Sequence, residues 1–161
     1  MANPEHLAKL KEGVEAWNQW RDNLETEPDL SGADLTGLDL TDYQLYQVNL
    51  SRAILEGVTF GRANLSRTNF HRAIFSHPPP LWGSVLREVN LSDVDLTRAS
   101  LEGVDLTAAN LSGSCLRRSD LSKATLLFAQ LERTCLRDAH MNGADLRGRE
   151  TAGGRACNVS T

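Results

Sequence analysis

The sequence predicts an all-β solenoid, a rod of very short strands with a corner after each one, and three observations point to it. A large apolar residue recurs at every fifth position from Leu30 to Phe75, and the same beat resumes one residue out of phase at Leu81 and runs to Leu146. Two positions before these centres the residue is usually small, as at Ala33, Ala53, Ala63, Ala109, Ala124 and Ala144, or a valine, as at Val48, Val89 and Val104. The two residues after each centre are turn formers, as in Ser31-Gly32, Thr36-Gly37, Glu102-Gly103, Ser112-Gly113 and Asn142-Gly143. Side chains two apart on an extended backbone share a face, so the small residue and the centre point inward and the residue between them points out. Glycine at the second corner position supplies the positive φ of a type II turn, whereas Arg52, Arg62, Arg67 and Arg72 at that position predict a turn without that demand.

Other architectures do not fit a period of five. On a helix, five steps of about 100° turn the apolar stripe by roughly 500°, so the centres would wander around the axis. In a long strand an odd period would send alternate centres to opposite faces. The chain of 161 residues is one domain's worth, and its net charge of -4, with Arg and Asp interleaved, offers no basic stripe for a phosphate backbone. Direct nucleic-acid binding is not expected. There is no leader-like start and no stretch of membrane-spanning length, so the expected compartment is the cytoplasm and no membrane contact is expected. Cys115, Cys135 and Cys157 lack the spacing of a disulfide framework or a zinc knuckle and are read as reduced thiols. The four Asn-Leu-Ser triplets at Asn49, Asn64, Asn90 and Asn110 follow from the repeat itself and carry no weight as glycosylation acceptors.

Units such as Ala33-Asp34-Leu35-Thr36-Gly37, Ala63-Asn64-Leu65-Ser66-Arg67, Ala109-Asn110-Leu111-Ser112-Gly113 and Ala144-Asp145-Leu146-Arg147-Gly148 resemble the pentapeptide repeat proteins, whose pattern is A(D/N)LXX. The resemblance covers residues 29–148. It implies a right-handed quadrilateral parallel β-helix with four repeats, hence twenty residues, per coil. Twenty-four centres then make six coils, a rod roughly 29 Å long at about 4.8 Å per stacked strand. The core is a ladder of Leu with Phe60, Phe70, Phe75 and Met141.

At the N-terminus residues 4 to about 23 read as one helix, with Asn3 as N-cap, Pro4 at the first helical position and an apolar stripe of Leu7, Leu10, Val14, Trp17 and Leu24. Residues 1–28 are therefore read as a capping helix and linker over the open first coil, with Trp17 and Trp20 as a partner-binding surface in the alternative. The segment Gly13–Arg21 also resembles the N-terminal helices that precede bacterial, especially cyanobacterial, pentapeptide repeats. The phase slip falls in Ser76-His77-Pro78-Pro79-Pro80-Leu81-Trp82. Consecutive prolines cannot donate to a ladder, so this segment is expected to bulge, either as a tolerated insertion or as a rigid knob presenting His77 and Trp82.

If the four-sided phase survives the slip, Asp29, Asn49, Asn69, Asn90, Asn110 and Gln130 form an outward amide ladder. A second column holds Asp34, Ile54, Ile74, Asp95, Cys115 and Cys135, with the two cysteines near enough by backbone distance for a disulfide, though expected to be reduced. The corners carry Arg98, Arg117, Arg118 and Arg137 on one edge and Leu127-Phe128 on another, and exposed Leu and Phe at a corner suggest a contact surface. Residues 149–161 read as a flexible tail, which leaves the last coil bare, to fray or to meet a second chain as a homodimer.

Catalysis is not expected. His6, His71, His77 and His140 are scattered, no nucleophile is paired with a base by a known motif, and Cys135 with His140 has too few companions for a metal site. No cofactor is expected. The favoured function is a structural or protein-binding scaffold module. The alternative comes from the resemblance, because some pentapeptide repeat proteins mimic duplex DNA and bind DNA gyrase, inhibiting it or protecting it from quinolones. Arg98, Arg117, Arg118, Arg133 and Arg137 interrupt the acidic track that such mimicry uses, and no C-terminal dimerisation helix is evident.

Overall fold

The computed structural model of the chain describes residues 1–24, 26–75, 81 and 84–148. The sequence readings at His77, Pro78–Pro80 and Trp82, the tail 149–161 and Cys157 lie outside the described residues. From Asp29 onward the described repeats are one-residue strands, and below the slip the outward residue pairs in parallel with the residue twenty places on, as in Asp29↔Asn49, Asp34↔Ile54, Asp39↔Thr59 and Gln44↔Asn64. Four such pairings, five residues apart, make four sides. Across the slip the step is twenty-one, with Asn64↔Val85 and Asn69↔Asn90, and beyond it the step returns to twenty with Asn90↔Asn110 and Asn110↔Gln130. The four-sided phase therefore continues through the insertion.

Hydrogen bonding follows from this register. The outward residue donates its N–H to the coil below, as Asn49 N does to Pro28 O at 2.9 Å, while the centre donates to the coil above, as Leu50 N does to Asn69 O at 2.8 Å. The centres are inside: Leu30, Leu45, Leu50, Leu55, Leu65, Leu86, Leu106, Leu111 and Leu121 are fully buried, and so are the small residues Ala53, Ala63, Ala99, Ala109 and Ala124. Burying each large centre contributes on the order of 1.5–3 kcal/mol before the entropy of ordering the coil is subtracted. Phe60 and Phe70 meet edge to face at 5.7 Å, and Phe70 lies 6.0 Å from Phe75, so the bulkiest core residues gather just before the slip. Where a hydroxyl takes the small position it finds a carbonyl, with Thr68 donating to Leu45 O at 2.6 Å, Ser84 to Phe60 O at 2.8 Å and Thr134 to Leu111 O at 2.8 Å. These bonds remove the cost of burying a polar group.

The N-terminal segment departs from the single helix expected. It forms α1 (Pro4–Lys11) and α2 (Val14–Asp22), separated at Gly13, whose φ of 109° is readily reached only by a residue without a Cβ. Asn3 does cap α1, its side chain accepting from Glu5 N at 2.9 Å. The break lets both helices lie against the first coil, and their groups take the place of a coil underneath. His6 Nδ1 accepts from Asp29 N, Asn18 Oδ1 accepts from Gln44 N, and Trp17 Nε1 and Arg21 Nη2 donate to Gln44 O and Tyr46 O. Trp17 is wholly buried, its ring tilted against Trp20 at 5.1 Å and Tyr43 at 6.5 Å, which leaves it unavailable as a partner-binding side chain.

Candidate interaction surface

With the interior filled, chemistry is left to the outward residues and the corners. Each corner is a β-turn closed by the next small residue, as Ala33 N donates to Leu30 O at 3.1 Å and Ala53 N to Leu50 O at 3.1 Å. The second corner residue has positive φ throughout the described coils, whatever its identity. Arg52, Arg62, Arg67 and Arg72 have φ of 58°, 56°, 59° and 56°, beside 67° at Gly32 and Gly103. The expectation that arginine relaxes the corner is therefore corrected. The second corner N–H is bonded to the coil above, Arg52 N to His71 O at 2.9 Å and Gly32 N to Ser51 O at 2.9 Å, so stacking holds the left-handed conformation against the preference of the side chain.

The residue before each centre has a role that the sequence reading missed. Its side-chain oxygen accepts from the N–H two places on: Asn49 from Ser51 at 3.1 Å, Asn90 from Ser92 at 3.1 Å, Asp34 from Thr36 at 3.1 Å and Asp120 from Ser122 at 2.9 Å. These are Asx turns that lock the strand into its corner. The signal was the Asp or Asn at this position, read only as an outward ladder. The ladder is present in part, with Asn90 Nδ2 donating to Asn69 Oδ1 at 3.0 Å and longer steps of 3.4 Å from Asn69 to Asn49 and from Asn49 to Asp29, whereas Asn110 and Gln130 continue the column through backbone pairing. Hydrogen bonds from Thr36, from Thr41 and from Ser122 hold the carboxyls of Asp34, Asp39 and Asp120, respectively, below their ordinary value.

Arg98, Arg117, Arg118 and Arg137 fall together on one edge. Arg98 N donates to Arg117 O at 2.8 Å and Arg118 N to Arg137 O at 3.1 Å, so the four occupy the same corner of three successive coils, all exposed. Asp138 faces two of them, 3.7 Å from Arg118 and 4.0 Å from Arg137. Elsewhere the corner arginines are matched along the rod, Arg62 forking onto Asp42 at 2.6 and 2.8 Å and Arg67 onto Glu88 at 2.8 and 3.2 Å. The edge bearing Leu127 and Phe128 is reached two corners later and is diagonally opposite. Phe128 is 64% exposed, whereas Leu127 is half-buried, so the expectation of an exposed pair narrows to Phe128. The Phe128 ring lies over Gly148 of the next coil, where an added Cβ would sit within the ring's van der Waals envelope, and with Ala129, Gln130 and Glu132 the two residues line a groove of about 410 Å³.

Three further features were not singled out from sequence. Ile74 and Val85 are outward residues, 51% and 42% exposed, on opposite sides of the slip. Arg21 is 3% exposed, with its guanidinium 4.1 Å over the Tyr46 ring and no partner for Nε. Its burial could not be read from a helical pattern that places arginine beside Asp22 and Asn23. Among the described residues no helix is long and apolar enough to cross a membrane, and no group of three or more His, Cys, Asp or Glu is placed to hold a metal ion.

A filled four-sided β-helix with its variable chemistry confined to faces and corners defines a repeat solenoid. The chain matches pentapeptide repeats in eight copies, over residues 44–77, 84–122 and 114–148, and it belongs to the pentapeptide repeat family. Members of that family fold as right-handed quadrilateral β-helices. No curated protein matches the sequence significantly. Among solved structures, a trypsin-treated form of QnrB1, a plasmid-mediated fluoroquinolone resistance protein, aligns at 22% identity with a TM-score of 0.52, over 73% of this chain and 76% of that one. Rfr23 from the cyanobacterium Cyanothece 51142 aligns at 27% identity and a TM-score of 0.38, over 80% and 92% of the two chains. HetL, involved in heterocyst differentiation regulation in the cyanobacterium Nostoc sp. strain PCC 7120, aligns at 32% identity and a TM-score of 0.35, over 83% and 66%. The likeness to QnrB1 is one of fold alone.

Proposed function

We propose that this chain is a non-enzymatic, cytoplasmic scaffold module that binds other proteins through its corners. The observation that carries the reading is the exposed Phe128 at a position filled in the coils below by Ala108, Glu88, Arg67 and Gln47. Its ring covers Gly148 of the next coil yet stays 64% exposed, so most of its apolar surface is left for a partner. The opposite edge, Arg98, Arg117, Arg118 and Arg137, offers cations in excess of the single carboxylate of Asp138 and suits an acidic patch.

In this reading residues 1–28 cap the rod, 29–148 form six coils and 149–161 are a tail. The hydrogen bonds from His6, Trp17, Asn18 and Arg21 to the first coil support the cap. At the other end Leu131, Met141, Ala144 and Leu146 are only partly buried, whereas Leu111, Leu121 and Leu126 are at most 1% exposed, which supports contact with a second copy at the last coil.

Affinity capture with wild type, Phe128→Arg and the double variant Arg117→Glu/Arg137→Glu tests the reading. A partner lost with one variant and kept with the other assigns it to that edge; equal recovery of every partner with all three proteins refutes corner binding. The gyrase-mimic alternative is addressed by a supercoiling assay, in which no inhibition or quinolone protection is expected at micromolar protein.

A further inference from the structure

Cys115 and Cys135 stand directly above one another in adjacent coils, paired in parallel, both partly exposed and both free. Their backbones are fixed on either side, with Cys115 N donating to Val94 O at 3.0 Å, Leu116 N to Cys135 O at 2.7 Å and Cys135 N to Ser114 O at 2.9 Å. In-register neighbours keep their Cβ atoms near the strand spacing of about 4.8 Å, whereas a disulfide wants about 3.8 Å. Oxidation would therefore have to draw two coils together against their ladder. Two metal–sulfur bonds of the length thiolates make to zinc, about 2.3 Å each, span about 4.6 Å, close to the strand spacing of about 4.8 Å, so an ion between the two side chains does not require the coils to close.

We propose that Cys115 and Cys135 form a two-coordinate site for a soft monovalent cation, Cu(I) in chemical class. Thiolate pairs select soft ions, and Zn(II) requires four ligands, which no convergence of His, Cys, Asp or Glu supplies among the described residues. Each thiol gives up its proton as its bond to the ion forms, so two protons leave and a bis-thiolate complex of charge minus one remains. Arg117 and Arg137 stand two residues beyond the respective cysteines on the same coils, a source of positive charge for an anionic complex. The Thr97 hydroxyl, 3.3 Å from Cys115 Sγ, adds a hydrogen bond to the sulfur.

The test is anaerobic titration of the Cys157→Ser protein with Cu(I) against a chromophoric chelator, with Ag(I) as a redox-inert probe. One ion bound per chain with release of two protons is expected, weakening about 100-fold in Cys115→Ser or Cys135→Ser, where chelation is lost. The same column carries Asp34, Ile54, Ile74 and Asp95, so serine is compatible with the coil. Arg117→Glu is expected to weaken binding most at low pH, where proton release is hardest. Equal affinity in the single-cysteine variants, preferential uptake of Zn(II), or ready Cys115–Cys135 cross-linking by mild oxidant without metal would overturn the assignment.

Discussion

At the second corner position the side chain is a passenger on a backbone set by its neighbours. A non-glycine residue in the left-handed region costs roughly 1–2 kcal/mol, and the corner keeps it there because its N–H is bonded to the coil above. Arg52→Gly should therefore stabilise the protein by about 0.5–1 kcal/mol after the entropy of the added glycine is subtracted, read as a raised midpoint in urea. Gly103→Ala should destabilise by about 1 kcal/mol, through φ alone, since no heavy atom lies within 4 Å of the added Cβ. At the centres the opposite holds and identity is everything. Leu111→Asp buries an unpaired carboxylate in a fully enclosed site and should cost 3 kcal/mol or more, seen as loss of thermal stability, and full stability would refute the inward assignment. The centres and small residues were readable because burial imposes a strict period. The corner φ was not, because arginine carries no local signal for a conformation that stacking enforces.

Single repeats become elements through the Asx turn, which ties each strand to its own corner. Four Asp members of this set have folded pKa values depressed by hydrogen bonds from Thr36 to Asp34, Thr41 to Asp39, Ser122 to Asp120 and Arg147 to Asp145. Their contribution is present above the unfolded value of about 3.9 and is lost as pH falls from there through the lower folded values. A variant with all four changed to Asn, which accepts the same bond without titrating, should lose less stability between pH 5 and 2 (about the span of these titrations) in denaturant titrations at each pH. The helical element was legible in its N-cap and apolar stripe. Its break was missed because Gly13 sits in phase within that stripe, and only the need to lay Leu10 and Trp17 on one coil shows why the chain bends there. Trp17→Ala should cost about 3–5 kcal/mol, with hydrogen exchange accelerating first around Gln44 and Tyr46, whose carbonyls the helix satisfies.

For the whole molecule, coils contact only their neighbours, so the effects of changes in distant coils should add. Leu50→Ala and Leu121→Ala, both in enclosed sites, should sum within about 0.5 kcal/mol when measured singly and together. The candidate edges divide in the same way. Their residues were legible as outliers from the repeat, and because all of them lie beyond the slip the twenty-residue step also put them on separate edges; that Leu127 is half-buried and that the Phe128 ring lies over Gly148 depend on packing between coils, which the period does not encode.

That slip has an effect on what the rod can tolerate. Because Asn64↔Val85 and Asn69↔Asn90 keep the columns aligned on both sides of it, the intervening stretch can grow without shifting any downstream letter of the surface code. An insertion at that point would lengthen one connection and leave every corner residue of the later coils in its column.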